Sequence, residues 1–505
     1  MACLIAAPSS GSGKTLLSLM LTALACRRGQ SLQPFKVGPD YLDPQLLGRV
    51  AGRPCRNLDT LLCGPAWVRR SFAWHAGRAD LALVEGVMGL FDGRGASSEG
   101  SSAEVAALLD LPVVLVVEAS RQAGSLAALV RGFRDHGPPP VRLAGVVLNK
   151  VGSDRHRALL AEALEAIAVP LLGVLPPAEV LDLPSRHLGL LSAAELDDLP
   201  QRLPHWAALA EAHLDLERLW PLLEPVPSLV PGGPWPGGAA DDPVPWLLQQ
   251  AGAQPSPQPS PLPEPVPVAI ASDRAFQFCY PEVSELLCAL GAQPRPWSPL
   301  ADEPLPAGTR AVLLPGGYPE LAAAELAAAS RAIGSLRQAV AQGIPLLAEC
   351  GGLLLLGQAL ADADGRWHPM AGLLPFRAAR GSLSLGYRQT LSRVDGLLTR
   401  AGERRWGHEF HRWQLEPWAP PEPPPVAASP GLWQLEGWGC SPREEGWTAP
   451  NVHASWLHLH WAGCPEIPRR LVAAAATGDW PQPAGAFCSP ASPASHPSAS
   501  AGVCA

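Results

Sequence analysis

The chain has 505 residues, of which 47% are hydrophobic and 17% charged, with a net charge of −8. This is too much apolar mass for one core and predicts two ordinary domains plus linkers. There is no basic run and no basic–aromatic interleaving, which excludes a nucleic-acid surface. Eleven scattered cysteines lack any C-x-x-C pair or zinc-type Cys/His spacing and fit a reduced cytoplasmic protein. The expectation is of no signal peptide, since a phosphate-type loop begins by residue 7, and of no membrane partner, since no apolar run reaches spanning length.

The first element is an apolar strand, ACLIAAP, followed by Ala7-Pro8-Ser9-Ser10-Gly11-Ser12-Gly13-Lys14-Thr15 and a helical pattern, LLSLMLTALACRRG. Backbone N–H groups around Gly11, Ser12 and Gly13 can cradle phosphate. Lys14 reaches the outer phosphates of ATP, and the Thr15 hydroxyl ligates Mg²⁺. Pro8 stands where G-x-x-x-x-G-K-T has its first glycine. Ser10 occupies the position at which partition-type ATPases carry a second lysine, which argues against a dimerising switch.

Next comes PFKVGPDYLDP, with Lys36 at a strand end and Asp40, Leu42 and Asp43 on the following loop. A lysine there can neutralise a transferring phosphoryl group, while carboxylates hold Mg²⁺ or position substrate. In ADLALVEGVMGLFDG the strand ends in Glu85, placed as a Mg²⁺- or water-binding acid, and Asp92 follows on a Gly-rich loop. In VVLNKV, Asn149 sits at a strand end, where its amide can read an adenine edge with donor and acceptor together. Alternation of these apolar strands with helical segments such as SLAALVRGFRDHG predicts a parallel sheet covered on both faces over residues 1–214.

Residues 215–265 contain PWPGGAADDPVPW and QPSPQPSPLPEPVP and read as a semi-rigid Pro-rich linker. From 266 to 480 the strand–helix alternation resumes with VPVAIAS, RAVLLPGG and IPLLAEC. Within it, 417–431 is a second Pro-rich insert, expected as a surface loop, and 481–505 is a Ser/Pro/Ala-rich tail expected to be disordered. In LLAECGGLLLL, Cys350 lies between an apolar strand and two glycines that open a helix. A nucleophile on such a sharp turn needs neighbours without a Cβ, and a helix N-terminus lowers a thiol's pKa.

APSSGSGKT, FKVGPDYLDP, VEGVMGLFDG, VVLNKV and LPSRHLGL, in this order, resemble the cobyrinate a,c-diamide synthase family, and more distantly dethiobiotin synthetase. SDRAFQFCYPE, LLPGGYPEL, ECGGLLLL, LGYR, GHEFH and HASWLHLHWAG resemble the second half of that family, which is similar to class I glutamine amidotransferases. The implied fold is α/β throughout: a P-loop synthetase domain joined to an amidotransferase domain. The resemblance implies that Cys350 attacks glutamine to form a thioester, that Gly316 and Gly317 offer oxyanion donors, and that His458 is the base. Read as a strand, WLHLH puts His458 and His460 on one face. His460 stands where the wider class has glutamate, which implies a Cys–His dyad. His408 and His411 are structural or substrate-facing.

The implied activity is ATP-dependent amidation of the a and c carboxylates of cobyrinate, with glutamine or ammonia as nitrogen donor and Mg²⁺ beside ATP. Lys36 and Glu85 would be catalytic, and Asp40, Leu42, Asp43 and Asp92 would contact substrate. Thr15, Asp40 and Glu85 would hold the metal. A homodimer is an open expectation. Alternatives are the same chemistry on hydrogenobyrinate or nickel-sirohydrochlorin, or a P-loop regulatory protein with a silent amidotransferase domain.

Overall fold

A computed structural model describes residues 2–177, 185–186, 189–190, 196, 198–224, 242–252, 264–418, 424 and 426–478. The first sheet contains β1 (Cys3–Ala6), β2 (Leu32–Val37), β3 (Arg56–Leu58), β4 (Leu81–Glu85), β5 (Pro112–Glu118), β6 (Arg142–Asn149) and β7 (Leu171–Val174). Its order is β3-β2-β4-β1-β5-β6-β7, and every neighbouring pair is parallel. β1, β2 and β4 are buried along their whole length because helices cover both faces. The register sets Lys36 opposite Glu85 and Ile5 opposite Glu85, so strand pairing alone brings a lysine and an acid to the sheet's C-terminal edge. Beyond it, β8 (Ser185–Arg186) and β9 (Gly189–Leu190) form a small antiparallel pair within LPSRHLGL, whose other residues lie outside the described ones.

The second sheet contains β10 (Val266–Ala271), β11 (Ala292–Trp297), β12 (Ala311–Leu314), β13 (Leu346–Glu349), β14 (Ala359–Ala361), β15 (Trp367–Pro369), β16 (Phe376–Ser392), β17 (Arg404–Pro417), β18 (Ser429–Gly437), β19 (Cys440–Ala449) and β20 (Val452–Ser455). Strands β11-β10-β12-β13-β20 are parallel; β19, β18, β16 and β17 continue the sheet with antiparallel pairs. Among the described residues, no helix is long and apolar enough to cross a membrane.

The linker expected over 215–265 is corrected in part. Leu219 and Leu223 are buried in the first half's core, and Pro243–Gly252 is a helix with Val244 and Leu247 buried beside Trp67 and Val283. Proline at a helix's first position costs nothing, because that N–H has no intrahelical partner; between the prolines, WLLQQAG is apolar enough to pack. Residues 225–241 and 253–263 lie outside the described residues, as does the tail from 479 onward. The expected loop over 417–431 is shorter than its composition implies: β17 runs to Pro417 and β18 starts at Ser429.

The two halves are fastened through buried polar contacts. Arg56 donates to Glu285 at 2.6 and 2.8 Å and to Glu282 at 3.2 Å. The Tyr387 hydroxyl donates to Asp59 at 2.9 Å, and Gln45 donates to the Gln277 carbonyl at 2.7 Å.

Candidate active site

At the phosphate loop, the Lys14 ammonium donates to the Met88 carbonyl at 2.6 Å and the Ser9 carbonyl at 3.2 Å. Burial, helped by nearby Lys36, lowers its pKa to about 8. The Thr15 hydroxyl donates to Glu85 Oε1 at 2.7 Å. Asn149 donates one amide N–H to the Ser12 carbonyl at 3.1 Å, so part of its hydrogen-bonding capacity braces the loop; its Oδ1 is buried without a partner. Asp92 accepts from the Gly89 N–H at 2.8 Å and shapes the turn after β4.

Lys36 is the hub of the acids. Its ammonium donates to Asp43 and to Glu85 Oε1, the latter at 2.8 Å, and lies 3.7 Å from Asp40. Burial opposes its charge, but Asp43, Glu85 and Asp40 more than offset this and hold the pKa well above the usual lysine value. Burial raises Glu85, which is completely enclosed, and raises Asp40, where Asp43 adds to the effect. Burial opposes ionisation of Asp43 too, yet Lys36 holds it below the ordinary carboxylate range. Asp40 also accepts from the Leu42 N–H at 2.9 Å, fixing the start of helix Leu42–Ala51.

Among the described residues, no cluster of three or more His, Cys, Asp or Glu side chains forms a ready-made metal cage. A hydrated Mg²⁺ beside nucleotide phosphates needs only one or two protein carboxylates. Glu85 Oε2, buried and without a partner, next to the Thr15 hydroxyl, fits that requirement.

In the second half, Cys350 occupies the turn between β13 and helix Gly351–Leu356, with φ 48° and ψ −104°. A non-glycine residue held in that region is strained, as nucleophiles on strand-to-helix turns are. Its N–H donates to the Ser455 carbonyl at 2.8 Å, and its sulfur lies 3.7 Å from the Phe410 carbonyl. The expected lowering of the thiol's pKa is not found: the helix is only six residues long, and burial, with Glu320 nearby, pushes the thiol up. Gly317 packs on the nucleophile's turn, since a Cβ at Gly351 would fall 2.8 Å from its nitrogen. Gly316 lies under His458: a Cβ there would fall 2.3 Å from the ring's Cε1, so only glycine admits this close approach.

His458 is not in a regular strand. It forms an isolated backbone bridge with His408, with N–H···O distances of 3.0 and 2.9 Å. The irregular backbone turns the two histidines of WLHLH to different surroundings, against the period-two expectation. His458 faces Tyr41 and Phe278, whereas His460 packs against Tyr280 with ring centroids 4.3 Å apart and tilted by 37°, and lies 3.7 Å from Glu282 at the domain junction. Burial lowers His458 to about 3, with His408 and His411 adding to the effect, and lowers His408 to about 4. His411 stacks on Trp456 at 3.8 Å and meets Glu409, which also accepts from Arg388 at 2.7 Å.

One cavity of about 1150 Å³ joins these parts. Gly11, Gly13, Lys14, Thr15 and Asn149 line one end; Lys36, Asp40, Leu42 and Asp43 line the middle; Phe278, Tyr318, His408 and His458 line the far wall. Glu85 lies beneath it through Lys36 and Thr15, and Cys350 lies behind the Phe410 wall.

The CobQ/CobB/MinD/ParA nucleotide binding domain matches residues 3–191, and the CobB/CobQ-like glutamine amidotransferase domain matches residues 267–465. The cobyrinate a,c-diamide synthase of Gloeobacter violaceus is 43% identical over 476 residues, covering 94% of this chain and 96% of the relative. The chain belongs to the cobyrinate/hydrogenobyrinate a,c-diamide synthase family. The hydrogenobyrinate a,c-diamide synthase of Streptomyces coelicolor is 44% identical over 492 residues, covering 93% and 96%. The cobyrinate a,c-diamide synthase of a Synechococcus strain is 42% identical over 469 residues, covering 92% and 96%. The family's two halves thus correspond to the two sheets, and ATP and glutamine are its co-substrates.

Sequence reasoning missed Tyr41 of this family member's cavity and two acids buried near Cys350. Tyr41 sits between Asp40 and Leu42, two residues expected to contact substrate, and its ring contacts are made to the other half of the chain. Glu320 and Glu349 are buried near Cys350, and burial raises both to about 8. Both add to the rise in the thiol's pKa, Glu320 from a separate segment and Glu349 from the position next to it.

Proposed function

We propose that this chain amidates the a and c carboxylates of a corrinoid ring, with ATP activating each carboxylate and glutamine supplying the nitrogen. The observation that carries this reading is the single cavity whose ends are the phosphate loop and His458. ATP transfers its outer phosphoryl group to a ring carboxylate, giving an acyl phosphate and ADP. Lys14 and Lys36 stand where charge develops on that phosphoryl group. Thr15, Glu85 and Asp40 would hold Mg²⁺, which when bound neutralises phosphate charge. Asp43 keeps Lys36 charged and aimed. Leu42 and Asp92 shape the substrate side, and the free acceptor of Asn149 suits an adenine edge.

In the other half, the Cys350 sulfur attacks the glutamine side-chain carbonyl as His458 takes the thiol proton. The proton passes to the leaving nitrogen, and ammonia departs from the γ-glutamyl thioester. Water then releases glutamate and restores the thiol. Backbone N–H groups at Gly316–Gly317 would receive the oxyanion. Ammonia attacks the acyl phosphate, phosphate leaves, and a second round gives the diamide. Enclosure matters because free ammonia is mostly protonated in water at neutral pH.

The test is an amidation assay with cobyrinate and hydrogenobyrinate side by side, following ATP, glutamine and product mass. Gain of two amides on either ring supports the reading. ATP turnover that leaves both rings unamidated overturns it.

A further inference from the structure

Eight large hydrophobic side chains are well exposed among the described residues, and three of them line this one cavity: Trp438 at 71%, Leu385 at 51% and Met88 at 40%. They come from three segments: the turn joining β18 to β19, strand β16, and the loop after β4. Exposed apolar side chains gathered at a cavity mouth mark a surface that an apolar partner covers.

Each belongs to a segment fixed by neighbouring contacts. Met88 has φ 47°, an unfavourable conformation for its residue type, and its carbonyl accepts from the Lys14 ammonium at 2.6 Å. The Leu385 carbonyl accepts from Arg388 at 3.3 Å, and Arg388 is locked to buried Glu409. Trp438 occupies a two-residue turn closed by the Gly437–Cys440 pair. Its indole reaches across to the synthetase half and lies on Gly95, where a Cβ would fall 2.5 Å from Cδ1. Five Lys or Arg side chains also line the cavity; Lys36, Arg94 and Arg388 are paired with the carboxylates of Asp43, Glu99 and Glu409, while Lys14 donates to two carbonyl oxygens. A flat occupant with apolar faces and a carboxylate-bearing rim satisfies both features at once.

We propose that Trp438, Leu385 and Met88 form the platform on which the face of the corrinoid macrocycle rests, with Trp438 setting specificity for a large planar ring. This rests on the corrinoid reading above. An indole supplies rigid, polarisable area at little conformational cost. Resting the ring on Met88 would bring a peripheral carboxylate toward Lys14, whose hydrogen bond positions that residue.

The test uses the full chain with Trp438→Ala, Trp438→Phe and Leu385→Ala. Equilibrium binding of cobyrinate is followed by absorbance, and KM is measured for cobyrinate, ATP and glutamine. Trp438→Ala should weaken cobyrinate binding and raise its KM roughly tenfold, the scale of an aromatic stacking contact. The KM values for ATP and glutamine should stay within about twofold. Trp438→Phe should recover most of the loss, and Leu385→Ala should lose affinity for cobyrinate selectively. Unchanged cobyrinate affinity in both alanine variants, beside a productive wild type, overturns the platform alone. Equal rises in all three KM values also overturn it, as a general disturbance of the hairpin. A wild type that binds no corrinoid sinks the platform and the functional reading together.

Discussion

The ring of Tyr41 lies 5.2 Å from the imidazole of His458, while the residue before it, Asp40, belongs to the acid cluster 3.7 Å from the Lys36 ammonium. One step along the backbone therefore connects the phosphoryl-transfer end of the cavity to the amidotransferase wall. Tyr41 also packs on Phe278 at 5.1 Å and Tyr280 at 4.5 Å, so the loop cannot shift without moving groups beside His458. In the free enzyme, burial pushes the Cys350 thiol up and His458 down, which keeps both neutral.

Replacing Cys350 with alanine separates the two nitrogen sources. Cys350→Ala should abolish glutamine-dependent amidation, while ammonia-dependent amidation at high pH persists near the wild-type rate. Product mass after incubation with each nitrogen source reads this directly. Equal loss with both sources would remove the thioester from the mechanism.

In the proposed mechanism Lys14 acts before nitrogen arrives. Lys14→Ala should therefore fail with glutamine and with ammonia alike, by on the order of 10²-fold or more, the scale of a lost contact to developing charge. Ammonia-dependent turnover close to wild type would contradict activation of the carboxylate by ATP. The lowered pKa of Lys14, about 8, adds a pH signature. Deprotonation above that value removes the positive charge, so ammonia-dependent turnover at pH 9 should fall short of the increase that the growing supply of free ammonia would otherwise give.

The parallel-sheet pattern and the phosphate loop were legible because buried parallel strands are continuous apolar runs and the loop is local in sequence. Lys36 and Glu85 were legible as strand-end charges, and the register that pairs them follows from the β2–β4 ladder. What could not be read depends on distant chain segments. The raised thiol of Cys350 reflects enclosure by Phe410 and Glu320, and Tyr41 faces residues more than two hundred positions away. His458 and His460 were misjudged together because alternation holds only in a regular strand. Proline content concealed the packed helix Pro243–Gly252, whose apolar residues outweigh its composition.

Glu85 is tested most cleanly by Glu85→Gln, which keeps the side chain's shape in a completely buried position. The amide can still accept from Thr15 and Lys36, but the negative charge is gone. Amidation with ammonia should fall by on the order of 10-fold or more, with a higher Mg²⁺ requirement. Labelling of Cys350 by an electrophilic glutamine analogue should continue at the wild-type rate. Loss of labelling would mean that Glu85 supports the whole fold rather than the phosphate site.

The two histidines should now separate sharply. His458→Ala removes the imidazole that covers Gly316 and should abolish glutamine hydrolysis while sparing ammonia use. His460 packs on Tyr280 beside Glu282 and Arg56, so His460→Ala should lower thermal stability by about 2–4 kcal/mol, as loss of a buried aromatic contact does. Glutaminase activity per folded molecule should change little. His460→Glu would set a second carboxylate beside Glu282 and should be worse than alanine. Greater loss of glutamine hydrolysis at His460 than at His458 reverses the assignment.

Glu349 offers a pH test of the enclosure around Cys350. It is buried, accepts a long 3.5 Å contact from the Leu459 N–H, and burial raises its pKa to about 8. In the unfolded chain it titrates near 4.3. Because the folded value is raised, the native state holds this proton more tightly than the unfolded state does. Its stabilising contribution is complete below about pH 4 and is lost as pH rises through about 8. Glu349→Gln is neutral at every pH and has no such slope. The melting temperature of the variant relative to wild type should therefore climb between pH 6 and pH 9, by an amount corresponding to a few kcal/mol at most. Glu320 and Glu445 are raised in the same sense, to about 8 and about 7, but remain in both proteins and cancel from the difference. A difference in Tm that stays flat across that range would show that Glu349 is already ionised in the folded protein, and that water reaches the base of the nucleophile's turn.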